Sequence, residues 1–468
     1  MYVCCSWVLP RMEGHMVHKF ELNGYKIVLD VSSGAVYSVD DVTYDILDYL
    51  KHSVPKKINK FIIENLRKKY AVSEIIDAYN EIYEAFKLGL IFSEDKYKNL
   101  INNDLLDSPI KAMCINIAHD CNMICDYCFA SKGDFGCKRE LMSFSTAKKA
   151  IDFLVEKSKN RKNLEVEFFG GEPLMAFETI EKSVSYARDL EKKHNKNFRF
   201  TLTTNGLLLD DEKINFINKE ISTVVLSLDG RKKINDSMRK TRNGQGTYDI
   251  IIPKFKKLIE LRGHKNYYIR GTFTRNNLNF SEDVMHIYNL GFSEISIEPV
   301  MSCSEESYNI DKSNLTKILN EYELLAKNIC KMKKNKLNIN FYRFIIDLDK
   351  APCAIKRLKG CSCGNEFVAV TPNGDIFPCH QFVGERKFLM GNLNKNSFDY
   401  DIKKLFSQTN IYKKEKCKTC WAKLYCGGGC NANNLHFMGT IENTHDFSCE
   451  IEKKRIECAL MLNIASRA

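Results

Sequence analysis

The chain has 468 residues, 44% of them hydrophobic, and a formal net charge of +11. This length and composition favour a globular protein with more than one domain. No apolar run approaches the roughly 18–20 residues of a membrane span, which excludes a membrane-spanning helix, and the start of the chain lacks the pattern of a signal peptide. We therefore predict a cytoplasmic protein, and we assign no function to residues 1–15, since Met12 or Met16 is an alternative start.

The sequence contains nineteen cysteines. Because the cytoplasm is reducing, we interpret their thiols as metal ligands or catalytic groups rather than as disulfides. The positive charge is concentrated in runs such as RKKINDSMRKTR from Arg231 and KMKKNK from Lys331. We interpret these runs as solvated helix surfaces, with a nucleic acid or an acidic peptide as the alternative partner.

Residues 17–100 predict a small domain of three strands followed by three helices. The strand patterns HKFELNG, KIVLDVS and AVYSVD are separated by Gly24 and by the Ser-Ser-Gly turn at residues 32–34. Helical periodicity follows in DDVTYDILDYL, INKFIIENLRKKY and VSEIIDAYNEIYEAFKLG, and LIFSED is predicted to close the unit as a strand. We expect a winged-helix-like domain, joined to the next unit by a linker at residues 102–111.

The next unit, residues 108–310, alternates apolar strand patterns with amphipathic helices. The six strand candidates are CINIA, LEVEFFGG, FRFTLTTNG, TVVLSLDG, YYIRGTFTR and EISIEPV. This alternation predicts a parallel α/β sheet with right-handed crossovers, and six units predict a partial (β/α)6 barrel with its chemistry at the carboxyl ends of the strands. A helical bridge at residues 311–352 and a cysteine-rich unit at residues 353–468 are predicted to follow.

Three cysteines follow the first strand of this predicted barrel. In HDCNMICDYCFA, Cys121, Cys125 and Cys128 are separated by three and then two residues. A structural zinc site takes four protein ligands, whereas three thiolates leave one metal position open. Taken alone, this pattern leaves an incomplete zinc site or a chance cluster of cysteines as alternatives.

With its companion motifs, the pattern resembles the radical S-adenosylmethionine (SAM) superfamily. The resemblance rests on CxxxCxxC with Tyr127 and Phe129 beside its last cysteine, FFGGEP at residues 168–173, TTNG at residues 203–206 and SLDG at residues 227–230. Each of the last three motifs alone is also typical of an ordinary strand-to-helix turn. The resemblance implies that Cys121, Cys125 and Cys128 are catalytic and hold a [4Fe-4S] cluster whose open iron binds SAM.

The same resemblance implies which residues contact SAM. They are Gly170, Gly171, Glu172, Pro173, Thr204, Asn205, Ser227 and Asp229. The two glycines let the backbone approach the methionine part of SAM, and Glu172 pairs with its ammonium group.

The carboxyl-terminal cysteines resemble the SPASM extension of radical SAM enzymes, which holds two auxiliary iron-sulfur clusters. The pattern is CxxCxxxxxCxxxC from Cys417, preceded by CSCGNEFVAVTPNGDIFPC and followed by one more cysteine. The resemblance implies a distal cluster on Cys417, Cys420, Cys426 and Cys449 and a proximal cluster on Cys361, Cys379 and Cys430. With the first cluster this makes three [4Fe-4S] clusters; a zinc ribbon is the alternative for these cysteines.

The proximal cluster lacks an evident fourth ligand. Cys363 and Cys353 are both candidates, but some peptide-modifying SPASM enzymes leave one iron open for a substrate cysteine, and we favour that hypothesis. We interpret the remaining isolated cysteines as buried or free thiols: Cys114, Cys137, Cys303, Cys330 and Cys458. His119 is predicted to be structural rather than a ligand.

The front domain resembles the recognition elements that bind leader peptides of ribosomally made, modified peptides. Such an element adds the leader as a strand, here at AVYSVD, and packs it against a helix such as VSEIIDAYNEIYEAF. A winged-helix module for DNA or dimerisation is the alternative. The stretch from Val17 and CSCGNEFVAVTP also resemble the maturases of peptides with six cysteines in forty-five residues (SCIFF).

This resemblance implies a function. A 5′-deoxyadenosyl radical removes hydrogen from a carbon of a small Cys-rich precursor peptide, and a peptide cysteine then joins that carbon as a thioether. The implied partners are the peptide and an electron donor such as ferredoxin or flavodoxin, with no membrane or nucleic acid. The alternatives are an anaerobic sulfatase maturase-like enzyme, an enzyme that forms carbon-carbon links, and a non-catalytic iron-sulfur electron carrier or sensor.

Overall fold

The computed structural model describes residues 16–101, 108–302, 306–348 and 354–467. The chain begins with an antiparallel sheet of β1 (Val17–Leu22), β2 (Tyr25–Asp30) and β3 (Val36–Ser38), paired in that order. Three helices follow: α1 (Asp41–Ile46), α2 (Lys60–Leu66) and α3 (Val72–Lys87). The predicted order of three strands and three helices is confirmed.

The predicted closing strand LIFSED is wrong. Residues 90–95 form a bend and an irregular segment, and Phe92 has a φ of +52°, a left-handed conformation that interrupts a strand. The buried Asp30 holds the segment by accepting a hydrogen bond from the Ser93 N–H at 3.0 Å. The predicted linker at residues 102–111 lies largely outside the described residues.

The two faces of the front sheet pack into two different hydrophobic cores. Val28 faces the front helices and belongs to their apolar cluster. Phe20, Leu22, Ile27 and Leu29 face the other way and share the main core of the molecule, because the carboxyl-terminal helix α16 (Asp446–Arg467) packs on that face. The front domain is therefore docked on the end of the chain.

The six strands predicted for the barrel are confirmed as one parallel array. Its members, in spatial order, are β11 (Glu294–Pro299), β10 (Tyr267–Phe273), β8 (Thr223–Ser227), β7 (Asn197–Thr204), β6 (Asn163–Gly170) and β4 (Ala112–Ala118). In β6 and β7 buried side chains alternate with half-buried or exposed ones, which reflects a sheet covered by helices on one face. Among the described residues the sheet does not close on itself, as expected for a partial barrel.

Helices connect these strands. They are α4 (Phe144–Lys157), α5 (Phe177–His194), α6 (Asp211–Glu220), α7 (Lys232–Met238), α8 (Tyr248–Leu261) and α9 (Phe280–Asn289), and the bridge contains α10 (Leu315–Lys334). α7 was not predicted. It lies before β9 (Arg239–Thr241), which forms a small antiparallel ribbon with β5 (Met123–Cys125).

Five further strands extend the sheet beyond the predicted array. β12 (Asn340–Phe341) pairs with β11, and on the other side β13 (Phe367–Val370) runs parallel to β4, followed by antiparallel β14 (Asp375–Phe377), β15 (Gly391–Asn392) and β16 (Ser397–Phe398). The cysteine-rich unit therefore continues the barrel sheet. The apolar run FVAV makes this pairing, a signal that the sequence contained but that we did not use.

The cysteine-rich unit is otherwise built from short helices. They are α11 (Ala354–Lys359), α12 (Tyr400–Gln408), α13 (Glu415–Lys418), α14 (Lys423–Cys426) and α15 (Asn431–Met438), before the long α16. No helix in the described part of the chain is long and apolar enough to cross a membrane.

A buried ion pair joins α16 to the barrel. The Arg455 guanidinium on α16 donates to the Glu298 carboxylate at the end of β11 over 2.9 Å and to the Tyr322 hydroxyl over 2.7 Å. Arg343 donates to the other Glu298 oxygen at 2.6 Å. Burial alone would oppose ionisation of Glu298, but Arg455 and Arg343 outweigh it and hold its pKa at about 2.

Candidate functional site

Three cysteine thiols converge at the carboxyl edge of the sheet. Cys121 follows the end of β4, and Cys125 closes β5, whose pairing with β9 fixes the loop. The Cys128 N–H donates to the Cys125 carbonyl at 3.2 Å. Burial, together with the nearby charges of Glu172, Cys125 and Cys128, raises the pKa of Cys121 to about 12.

The surroundings of these thiols suit iron-sulfur ligands. The Met123 N–H points at the Cys121 sulfur over 3.4 Å, and the Asn205 side-chain amide does so over 3.6 Å. Such donors favour a thiolate and tune a cluster bound to it. Three converging, partly exposed thiols therefore fit a [4Fe-4S] cluster with one open iron.

The GGEP loop packs on the chain that leads to Cys121. The Gly171 N–H donates to the Ala118 carbonyl at 2.8 Å, and the Glu172 N–H donates to the Asp120 carbonyl at 2.9 Å. A Cβ on Gly170, whose φ is +142°, would lie 2.3 Å from the Ala118 oxygen, and one on Gly171 would lie 2.2 Å from the Asp120 oxygen. The close packing of the loop against Ala118 and Asp120 therefore requires glycine at both positions, independently of any approach of the backbone to SAM.

Glu172 is fully buried, and its carboxylate joins the GGEP loop to the end of β7. Oε1 accepts from the Leu174 N–H at 3.0 Å and the Thr204 hydroxyl at 2.7 Å, and Oε2 accepts from the Asn205 N–H at 2.8 Å. One acceptor position remains on Oε2, which is compatible with the predicted pairing to an ammonium group. Burial raises the pKa of Glu172 to about 7, against the effect of its three donors.

Glu172→Gln is expected to lower the free energy of unfolding by about 1–3 kcal/mol, because an amide N–H₂ would face buried donors. We also expect SAM binding to weaken at least about tenfold, the loss of about one charge-assisted hydrogen bond. Anaerobic denaturant titration and equilibrium dialysis with SAM measure the two effects. Glu178→Gln is the matched control, since that carboxylate is 79% exposed and pairs only with Lys182 among the described residues. Unchanged SAM affinity in Glu172→Gln would limit Glu172 to a structural role.

The SLDG motif is tied to the cysteine loop through an aromatic residue. The Tyr127 hydroxyl donates to Asp229 Oδ2 at 2.6 Å, and Arg239 donates to the Tyr127 oxygen at 3.1 Å. Asp229 Oδ1 accepts from the Thr272 N–H at 2.9 Å. The predicted SAM-contact residues thus lie along one edge of the sheet: Gly170, Gly171, Glu172, Pro173, Thr204, Asn205, Ser227 and Asp229.

Two arginines lie at this edge of the sheet that were not predicted from the sequence. Arg239 is buried, and Arg242 donates to the Cys121 carbonyl at 2.8 Å. Both belong to the run RKKINDSMRKTR. Our interpretation of that run as solvated surface is wrong at the buried Arg239, whereas Arg242 is exposed. The sequence offers one signal for a role at the site, namely that the run directly follows SLDG. This signal does not indicate which arginine is buried.

A second group of thiols lies in the cysteine-rich unit. The Cys363 N–H donates to the Cys361 sulfur at 3.4 Å. Burial and the neighbouring thiols of Cys361 and Cys379 raise the pKa of Cys363, and Cys430 interacts with the same two thiols by charge. The hydrogen bond from Cys363 lowers the pKa of Cys361 to about 7 although burial opposes it. The three predicted proximal ligands are thus brought together, and Cys363 lies among them. Cys353 lies outside the described residues.

A third group contains the four cysteines predicted for the distal cluster. Burial raises the pKa of Cys417 to about 11; Lys414 opposes this, whereas Cys420 and Cys449 add to it. Cys426 interacts by charge with Cys449 and Cys417. Four mutually close thiols fit a fully ligated cluster.

Lys414 lies between the second and third groups. Its ammonium is buried and donates to the Gly428 carbonyl at 2.8 Å and to Asn431 Oδ1 at 3.0 Å. Burial lowers its pKa, while thiolates of both groups, led by Cys417 and Cys426, oppose that change. A buried cation in this position suits two anionic clusters.

The other predicted thiols are accounted for separately. Cys114 and Cys458 are buried, Cys330 is half-buried and Cys137 is exposed, whereas Cys303 lies outside the described residues. His119 is buried against Phe135, with ring centres 4.9 Å apart, and burial lowers its pKa to about 4.

The chain matches two family profiles. The profile of the radical SAM superfamily matches residues 115–277, and that of the SPASM iron-sulfur cluster-binding domain matches residues 361–421. Together they cover the three cysteines at the sheet edge and part of the cysteine-rich unit.

Two relatives with named activities match this chain at 24–26% identity. The radical SAM cyclopropyl synthase TigE of Paramaledivibacter caminithermalis is 26% identical over 90% of this chain and 89% of its own. A cysteine-type anaerobic sulfatase-maturating enzyme of Clostridium novyi is 24% identical over 67% of this chain and 86% of its own. The solved structure of native anSMEcpe with bound AdoMet and Kp18Cys peptide superposes with a TM-score of 0.63 at 22% identity, over 77% of this chain and all of that one.

Proposed function

Because the chain belongs to the radical SAM superfamily and carries a SPASM iron-sulfur cluster-binding domain, we propose that it is a maturase that forms thioether cross-links in a ribosomally made, Cys-rich precursor peptide. The two domains imply [4Fe-4S] clusters and SAM. We propose three clusters, an external donor such as ferredoxin or flavodoxin, and a cytoplasmic location.

The grouping of the thiols into three sets is the observation that carries this proposal. One set lies at the sheet edge with the SAM-contact residues, and two lie in the cysteine-rich unit. A thioether link removes one hydrogen atom from a carbon of the peptide, one proton from the cysteine thiol and one electron. When bound, the first cluster with SAM supplies the radical for the hydrogen, and an auxiliary cluster takes the electron.

We propose that the chain's own residues at the sheet edge hold SAM. Glu172 and Asn205 face the cysteine loop from the ends of β6 and β7, and Asp229 faces it from β8. The hydrogen bond between Asn205 and Glu172, and that between Tyr127 and Asp229, fix these side chains before SAM arrives, so little rearrangement is needed on binding.

We propose that the front domain binds the leader of the peptide at β3. Among the described residues no strand pairs with its outer side. Ala35 and Val39 bond to β2, and since successive residues alternate, Val36 and Ser38 direct their N–H groups outward. A leader strand added here would raise the effective concentration of the core peptide at the barrel.

Ser38→Pro is expected to weaken leader binding about tenfold or more, because it removes an outward N–H without touching the bonds to β2. Fluorescence anisotropy with a labelled leader peptide measures the affinity. Ser38→Ala, which keeps the N–H, should bind as the native chain does. Equal affinity in Ser38→Pro and Ser38→Ala would place the leader elsewhere.

The proximal cluster gives a further prediction. The open-iron hypothesis that we favoured from the sequence is less consistent with the structure, because Cys363 lies beside Cys361 and Cys379. We therefore expect Cys363→Ala to lose the proximal cluster as fully as Cys379→Ala does. Iron and sulfide counts with Mössbauer spectra measure the loss, and Cys330→Ala is the control. If Cys363→Ala keeps its iron while Cys379→Ala does not, one iron is open and available to a substrate cysteine.

An anaerobic assay tests the proposed function. The reconstituted protein receives SAM, a reductant and a Cys-rich peptide, and the peptide is weighed before and after thiol alkylation while 5′-deoxyadenosine is assayed. Loss of two hydrogen atoms per link, together with one thiol made resistant to alkylation, is the expected result. Deoxyadenosine without a change in any candidate peptide would contradict the substrate, and no deoxyadenosine with full clusters would contradict the enzyme.

A second candidate is carbon-carbon bond formation in a peptide. The match to a cyclopropyl synthase covers 90% of the chain, whereas that to the sulfatase-maturating enzyme covers 67%. Such a bond also removes two hydrogen atoms but leaves every thiol open to alkylation. The same assay therefore separates the two candidates.

A further inference from the structure

Three potential metal ligands meet inside the barrel, next to the proximal thiol group, since His380 directly follows Cys379 in the chain. Cys114 on β4 and Glu167 on β6 are register partners on neighbouring strands, so their side chains share one face of the sheet. His380, which follows β14, reaches the same point from the cysteine-rich unit. The Cys114 sulfur, a Glu167 carboxylate oxygen and a His380 ring nitrogen all lie within 4.8 Å of one another.

These three side chains converge without bonding to one another. The Cys114 thiol donates to Asn116 Oδ1 at 3.3 Å, and Glu167 accepts from the Thr203 hydroxyl at 3.2 Å. His380 Nδ1 is buried and has no hydrogen-bond partner among the described residues. A buried nitrogen without a partner is costly, and a proton relay would place these groups in direct hydrogen bonds.

The imidazole is held in place by aromatic rings. Its centre lies 4.9 Å from that of Phe169 and 5.7 Å from that of Phe129. These contacts fix the ring plane from one side and leave Nδ1 without a bond. The spacing of the three ligand atoms is therefore set by packed elements, since two come from paired sheet strands and the third from the turn after β14.

We propose that Cys114, Glu167 and His380 bind a single divalent transition metal ion of the zinc class. A thiolate, a carboxylate and an imidazole are the ligand types that such an ion takes, and distances of about 2.0–2.3 Å to each are reachable from a triangle of this size. Three protein ligands leave one position for an external ligand. Cys114 thereby differs from an inert buried thiol, which is how the sequence alone presents it.

The test uses the reconstituted protein with its iron content verified. One equivalent of Zn²⁺ is added anaerobically, free metal is removed, and zinc and iron are counted. We expect about one zinc per chain at unchanged iron. The zinc K-edge X-ray absorption spectrum should show one sulfur at about 2.3 Å and nitrogen or oxygen neighbours at about 2.0–2.1 Å.

Substitutions then assign the ion to this site. Cys114→Ser, Glu167→Gln and His380→Gln should each lower zinc affinity at least about 100-fold, since the loss of an outer-shell partner alone costs about 10–100-fold. Cys330→Ser, at a half-buried thiol on α10, should retain zinc. If a variant fails to fold, the single-sulfur spectrum of the native chain still decides. No retained zinc, a spectrum with several sulfurs, or equal retention in all variants would overturn the proposal.

Discussion

Replacing Cys125 with alanine is expected to abolish SAM cleavage, with 5′-deoxyadenosine formation falling at least about 10³-fold. The reason is that SAM cleavage depends on the cluster that Cys121, Cys125 and Cys128 are proposed to hold. Iron content should fall by only about one third, since the other two thiol groups are separate. Cys125 belongs to the β5–β9 ribbon, whose backbone pairing does not depend on its side chain. Deoxyadenosine by chromatography and iron by metal analysis measure the two effects.

Cys137→Ala is the matched control for this substitution. Cys137 lies nine residues beyond the last cysteine of the motif and is exposed, so its removal should change neither iron nor SAM cleavage. Loss of all iron in Cys125→Ala would mean that the three groups assemble as one unit. Residual cleavage near the native rate would contradict the assignment of Cys125 as a cluster ligand.

Arg455→Met is expected to lower the free energy of unfolding by about 3–5 kcal/mol, since it leaves the Glu298 carboxylate buried without its main partner. Arg455 and Glu298 are both nearly inaccessible, and they join the last helix to the barrel. Lys416→Met is the control, because Lys416 and Asp446 form an ion pair with both side chains more than half exposed. That change should cost under about 1 kcal/mol in the same denaturant titration.

The dependence of the free energy of unfolding on pH, on its acid side, tests the same ion pair. The pKa of Glu298 is lowered from 4.5 to about 2. A lowered carboxyl pKa stabilises the fold above pH 4.5, and this stabilisation, of the order of 3 kcal/mol, is lost as the pH falls from about 4.5 to 2. We expect Arg455→Met to flatten this dependence and Lys416→Met to keep it. A dependence unchanged in Arg455→Met would assign the acid sensitivity to other carboxylates.

The motifs made the candidate site predictable because they are local. Three cysteines within eight residues, and the turns GGEP, TTNG and SLDG at strand ends, need only the strand order to place them together. Arg239 and Arg242 were missed since their contacts depend on a ribbon of two three-residue strands, too short to leave a pattern. The meeting of Cys114 with His380, 266 positions apart, likewise depends on tertiary packing.

The fold was likewise predictable where the sequence pattern is local and not where it depends on tertiary contacts. Period-two and helical patterns gave the six parallel strands and the helices that cover them. The strands β12, β15 and β16 have two residues each and carry no such pattern. The closing strand predicted at residues 90–95 failed because side-chain bonds to Asp30 and a left-handed Phe92 override the apolar run.

The docking of the front sheet on α16 has a consequence for synthesis of the chain. Phe20, Leu22, Ile27 and Leu29 are buried partly by a helix that begins at Asp446. More than four hundred residues separate the two, and at about 5–20 residues per second a ribosome needs on the order of 20–90 s to supply the second after the first. During that interval the emerging chain presents an uncovered apolar sheet face. We expect nascent chains arrested before residue 446 to bind chaperones at this face, and chains released whole to escape them.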